Sequence, residues 1–129
     1  MTTVEIGRLG EKISARYLKK NGYKILDRNV HESHNELDIV AVNKEEILFV
    51  EVKTRTVGSE DQAVGIAAYA VNKRKQKDTI AAAIRYLKNN VPKRYASRQP
   101  MFDVIEVYLN KETYKLIKIN HIINAFGIN

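Results

Sequence analysis

The chain has 129 residues, 44% hydrophobic and 29% charged, with no cysteine and a formal net charge of +7 from 22 basic and 15 acidic side chains. These figures suit one folded domain spanning residues 1–129, and they exclude a disordered chain, a disulfide framework and thiolate metal sites. Charge throughout the first residues, and no run near the ~20 apolar residues of a spanning helix, argue against a signal peptide or membrane anchor and for the cytoplasm; the basic excess suits a polyanionic partner, nucleic acid first and an anionic membrane surface second.

Thr2 with Glu5 fits a capping box, and a helix follows from about Val4 to Lys20, with Ile6, Leu9, Ile13 and Tyr17 on one face and Gly22 as its stop. Tyr23 to Arg28 reads as a short strand and Asn29 to Asn35 as a polar loop. Glu36 to Val42 and Ile47 to Lys53 are the strongest strands, rich in β-branched residues and joined by Asn43-Lys44-Glu45-Glu46, a hairpin loop. An irregular stretch reaches about Gly65. Asn72 then caps a long helix ending near Asn90, before Pro92. Met101 to Tyr108 and Tyr114 to Ile119 read as strands, and Asn120 caps a final short helix, HIINAF. Helices flanking a mixed sheet place the chain in the α/β or α+β class.

Closing the hairpin symmetrically puts Val42 opposite Ile47 and Val40 opposite Phe49. On that face Asp38 then meets Glu51, and Glu36 meets Lys53. Both faces are apolar near the turn, so the strands are buried on both sides. Opposed like charges at the end of such a pair are destabilising. Buried charges are costly unless they are paired or bound to metal. A divalent cation relieves that repulsion, and Mg²⁺ favours one or two carboxylates. Lys53 emerges beside Glu51, where an ammonium can orient water or stabilise phosphate charge. A salt-bridge cluster, with Lys53 paired to Glu36 or Glu51, is the ordinary alternative.

At these residues the chain resembles the PD-(D/E)XK nucleases, the restriction-endonuclease-like superfamily: Asp38, then Glu51-Val52-Lys53 on the next strand. From about Gly7 to Phe126 it is similar to the YraN-like family of bacterial predicted endonucleases. The matching segments are Gly10-Glu11, a YL-x-x-x-GY segment ending at Tyr23, ILDRN, ELDIVA, FVEVKTR, the Lys75-Gln76 helix start and FDVIEV. The resemblance implies a mixed β-sheet flanked by helices and a site that uses Mg²⁺ (or Mn²⁺). It implies Asp38 and Glu51 as metal ligands, the Val52 carbonyl as a third, and Lys53 as the catalytic lysine. Glu11 matches a first-helix glutamate of archaeal Holliday-junction resolvases in the superfamily. The family usually has Gly before the Glu-x-Asp segment; this chain has Asn35, which tolerates unusual backbone angles.

From Tyr69 to Arg98 nine basic residues accompany a single acid, Asp78, whereas an ordinary solvated face mixes signs. Lys73, Arg74, Lys75, Gln76 and Lys77, with Arg55 on the preceding strand, are the expected nucleic-acid contacts. Lys75 and Gln76 are expected to reach the site. Ile80, Ile84 and Leu87 are expected to face the sheet. Tyr69 and Tyr95 are candidates to stack on bases; Tyr86 suits packing better. His31, His34 and His121 lack metal spacing. The resulting expectation is a Mg²⁺-dependent nuclease acting on DNA, with a homodimer suited to cutting paired strands. Its rivals are a nucleic-acid-binding module without cleavage activity and a structural protein whose cluster is an ion-pair network.

Overall fold

A computed structural model of the protein describes residues 1–63 and 72–127. Tyr69 and the end of the expected irregular stretch lie outside the described residues. Helix α1 spans Thr3–Lys20. Its capping box closes as expected: the Thr2 hydroxyl accepts from the Glu5 N–H at 3.1 Å, and the Glu5 carboxylate accepts from the Thr2 N–H at 2.9 Å. Gly22 ends the helix at a φ of 90°, and the Tyr23 N–H returns to the Leu18 carbonyl at 3.0 Å.

The strands are β1 (Lys24–Glu32), β2 (Asn35–Val42), β3 (Glu46–Val57), β4 (Gln99–Asn110) and β5 (Leu116–Phe126). Helix α2 (Lys73–Asn89) falls between β3 and β4, with a 3₁₀ turn at Lys93–Tyr95 after it. The strands form one mixed sheet in the order β1-β2-β3-β4-β5. Among the described residues only β3 and β4 run parallel, and a parallel pair needs the long crossover that α2 lies on.

Alternating side chains of the central strands feed two cores. Ile39, Ala41, Leu48, Val50, Ile105 and Val107 pack under α1 with Ala15 and Leu18. Val40, Val42, Ile47, Phe49 and Phe102 pack under α2 with Ala82, Ala83 and Tyr86. Burial of each large side chain contributes ~1.5–3 kcal/mol. The expected architecture, a mixed sheet flanked by helices, is therefore present.

Three local expectations are corrected. The segment from Asn29 to Asn35 is not a loop: β1 runs to Glu32 and turns tightly at Ser33 and His34. The left-handed residue of that turn is Ser33, with φ of 61°, not Asn35. The final helix is strand β5, whose Ile122 pairs with Val104 and whose His121 pairs with Ile105. A short apolar run fits either period, and the free ladder edge of β4 satisfies this backbone. Asn120 uses its amide on Glu106 instead of capping. On α2 the inward set is Thr79, Ala82, Ala83 and Tyr86, flanked by Ile80 and Leu87, while Ile84 is 41% exposed.

Gly10 shows how closely α1 lies on β3. A Cβ there would overlap the Thr54 hydroxyl and come within 2.9 Å of its Cβ. Gly10→Ala is therefore expected to cost ~1–3 kcal/mol, the range of overpacked cores. Thr54→Ala should return part of that loss. Thermal unfolding of the single and double variants checks it, and strictly additive losses would contradict the contact.

Candidate active site

From Val42–Ile47 to Ile39–Val50 the hairpin keeps the expected register. At Asp38 the ladder gives way. The Asp38 Oδ2 accepts the Val52 N–H at 2.8 Å, so a side chain takes over a main-chain donor. Strand alternation breaks here too: Leu37 joins the α2-side core although Ile39 belongs to the α1 side. The β2–β3 ladder ends at Ile39–Val50, so neither expected ladder pairing, Asp38 with Glu51 or Glu36 with Lys53, is part of it; Asp38 and Glu51 are near neighbours by charge, with the Asp38 carboxylate on the Val52 N–H.

Glu36 instead meets α1. Asn29 sits in β1 at a φ of 52°. With its amide nitrogen toward the carboxylates, it donates to Glu11 Oε1 at 2.8 Å and Glu36 Oε1 at 3.1 Å. Carboxylates only accept, so this is the orientation the chemistry selects. Arg8, Glu11, Asn29, His31 and Glu36 line an open groove there.

Glu51 is buried, at 9% exposure, and the Lys53 ammonium lies 3.6 Å from its Oε1. Burial first, and then the Glu51 charge, push the Asp38 carboxyl up to about 7, with Glu11 and Glu36 adding to the rise. The Val52 N–H opposes that shift. Burial also raises Glu11 above the usual carboxylate range, against the Asn29 hydrogen bond. Asp38 is thus raised by the charges of Glu51, Glu11 and Glu36 around it, and the Lys53 ammonium stands beside Glu51. Among the described residues no three His, Asp or Glu side chains form a ready-made cation cage. Asp38 and Glu51 are the two carboxylates whose charge a cation would relieve, and hard oxygen donors of this kind fit Mg²⁺ or Mn²⁺.

The expected nucleic-acid contacts fall on β3 and α2. Arg55 is exposed on β3, and Lys73, Arg74 and Lys77 are exposed on α2. Lys73, Gln76 and Lys77 border a groove with Ile80, Ile84 and Gly127. The Lys75 N–H is taken by the Asn72 cap at 2.8 Å. Tyr86 packs edge-on against Phe49, with ring centroids 6.1 Å apart. Tyr95 is buried at 9% exposure, which removes it from base stacking.

Sequence reasoning assigned no role to two acids that β4 buries completely. Asp103 accepts from His121 Nε2 at 2.7 Å and from the Asn124 N–H at 2.9 Å, while His121 Nδ1 meets the Tyr17 hydroxyl at 3.0 Å. Glu106 accepts from Asn120 Nδ2 at 2.6 Å and from the Tyr108 hydroxyl. In the β3–β4 register Glu106 stands beside Lys53. The signal was present in FDVIEV: acids in an otherwise apolar strand need partners.

The sheet and the acid pair define an α/β protein with a polar cluster where β2 parts from β3. The chain belongs to the Uncharacterised protein family UPF0102, whose model matches residues 10–107. It is 46% identical over 121 residues to a UPF0102 protein of Caldanaerobacter subterraneus subsp. tengcongensis, covering 94% of this chain and 93% of that one. It is 43% identical over 122 residues to one of Syntrophomonas wolfei, covering 95% and 97%. A third, from Clostridioides difficile, is 40% identical over 128 residues and is covered completely (100%), against 98% of this chain. Among solved structures, Pyrococcus furiosus SfsA in complex with Ca²⁺ is similar at a TM-score of 0.39 and 11% identity, over 88% of this chain and 62% of that chain. No described helix is long and apolar enough to cross a membrane.

Proposed function

We propose that the protein is a metal-dependent nuclease acting on DNA, with Asp38, Glu51 and the Val52 carbonyl holding Mg²⁺ or Mn²⁺. The observation that carries this reading is the pair of acids, Asp38 beside Glu51, with Lys53 3.6 Å from Glu51. A divalent cation, when bound, supplies charge neutralisation and Lewis-acid activation of a phosphodiester. The Val52 N–H orients Asp38. The Lys53 ammonium stabilises charge developing on the phosphate and positions a water. Glu11, steadied by Asn29, adds negative charge on the α1 side of the cluster. The cytoplasm, and a homodimer for cutting both strands, accompany this reading.

The test is incubation with linear, nicked, flapped and branched DNA in Mg²⁺ or Mn²⁺. Metal-dependent cutting of any member supports it. No cutting across the panel, with DNA binding retained, would leave a binding module instead.

The α2 bases give a second expectation. DNA affinity should fall steeply with salt, by ~0.9 in log K per phosphate contact for each decade. Replacing Lys73, Arg74, Lys75 and Lys77 with Gln should lower that slope by ~3.6 if each meets a phosphate. An unchanged slope moves the DNA surface off this helix.

A further inference from the structure

A second cationic site lies at the far end of the sheet. Lys24 from β1, Arg94 from the 3₁₀ turn and Arg98 before β4 gather around the Tyr95 ring. Lys24 Nζ is 6.0 Å from the ring centroid and 3.5 Å from the hydroxyl; the guanidinium carbons of Arg94 and Arg98 are 4.7 and 5.7 Å from the centroid. Arg98 Nε also donates to the Asn43 carbonyl at 2.9 Å, which brings the group against the β2–β3 turn and exposed Lys44. Lys24, Lys44, Tyr95 and Arg98 border a shallow cavity of about 250 Å³.

Like charges repel, so this convergence needs a cause. Among the described residues, no carboxylate forms an ion pair with any of these cations. Glu46, the near acid, is turned toward the Tyr23 hydroxyl at 3.4 Å and the Asn43 amide at 3.5 Å; Glu45 is exposed. The Tyr95 ring attracts the cations through its face. Tyr95 belongs to the α2-side core, so the ring is a fixed scaffold for the charged groups around it. Lys24, Lys44 and Arg94 remain exposed, with their donors available to an outside acceptor.

We propose that Lys24, Lys44, Arg94 and Arg98 form an auxiliary binding site for backbone phosphates of nucleic acid. The proposal rests on the nucleic-acid reading above and extends it to a surface away from the acid cluster. Along β3, Lys53 and Glu46 are seven residues apart, roughly 23 Å at ~3.3 Å per residue. Asn43 bonds to Glu46 at the turn. At ~3.4 Å per base pair, phosphates meeting the two sites are separated by about seven base pairs of duplex.

The experiment compares the intact chain with Lys24→Gln/Lys44→Gln/Arg94→Gln. Arg98 is left in place because it ties the turn. Metal-free binding to a duplex of ~20 base pairs is measured across a salt series. The variant should lose ~2–3 units of salt slope, at ~0.9 per phosphate contact. Asp38→Asn should leave that slope unchanged, which separates this site from the proposed catalytic one. An unchanged slope in a folded triple variant overturns the proposal; if that variant does not fold, Lys24→Glu alone is used, with a loss of ~1 unit or more expected. Should the parent chain bind no DNA, the nucleic-acid assignment fails with it. A titration with inorganic phosphate, followed through the Tyr95 ring resonances, then decides whether an anion site survives. Binding to phosphatidylserine vesicles, lost in the triple variant and unmatched by DNA, would also overturn the assignment.

Discussion

Alanine at Asp38, Glu51 or Lys53 is expected to reduce metal-dependent DNA cleavage about 10²–10³-fold, the scale of losing one group that stabilises transition-state charge. The three losses should not add. Asp38 and Glu51 share one electrostatic zone, and Lys53 is held against Glu51, so the double and triple variants should be little worse than the singles. Metal-free DNA binding should survive, because Lys73, Arg74, Lys75 and Lys77 on α2 remain in place to meet phosphates. Alanine at Glu51 also frees Lys53, so Glu51→Gln is the cleaner partner: it keeps the volume and removes the charge. Cleavage rates on whichever substrate the panel identifies, with binding measured alongside, check this expectation. Cutting that survives all three substitutions would move the site elsewhere. Equal losses of cutting and binding would point to misfolding or to a DNA-contact role.

The second large effect is on stability. Asp38 titrates at about 7 in the folded protein, and near ~3.9 in an unfolded chain. Between those values the folded state holds a proton that the unfolded chain has released. Metal-free stability should therefore fall as pH rises through this window, by no more than ~1.4 kcal/mol per pH unit for one proton. Asp38→Asn removes the titrating group and its share of that slope. At pH 8 the variant should match the parent or exceed it by up to ~1 kcal/mol, the scale of a cross-strand pair; below about pH 5 that advantage should vanish. Metal acts in the opposite sense. A cation bound only by the folded state stabilises it by ~2.7 kcal/mol at a hundredfold excess over Kd. Most of that gain should be missing from Asp38→Asn. Thermal unfolding of both proteins across pH, with and without Mg²⁺ or Mn²⁺, measures each arm. A structural ion pair would give a metal-free Asp38→Asn that is clearly less stable at pH 8.

Much of this architecture is legible in the sequence because the signals are local. The Thr2 and Glu5 pair sets the start of α1, Asn72 sets the start of α2, and β-branched runs mark β2 and β3. Hairpin symmetry also carries the register from Val42–Ile47 to Ile39–Val50. It stops being informative at Asp38, where a side chain replaces the main-chain acceptor and the alternation of faces changes. That is why Glu36 lies with Glu11 and not with Lys53. The identity of β5 was hidden for a different reason. HIINAF contains no period long enough to separate helix from strand, and its conformation depends on the distant edge of β4. Asn29 was equally hidden: its left-handed backbone and its two carboxylate partners exist only once β1 is paired and α1 is docked. The Tyr95 cluster brings Lys24 to a residue more than seventy positions away, which a reading along the chain cannot see.

The most direct test of the central claim is calorimetric titration of Mn²⁺ into the metal-free protein and into Asp38→Asn at neutral pH. The parent chain is expected to bind the ion saturably with release of protons, since Asp38 is partly protonated at about pH 7 and must ionise to ligate. The variant should lose both the binding and the proton release. Binding that is absent from the parent chain, or equal in the two proteins, would contradict a metal site at Asp38 and Glu51.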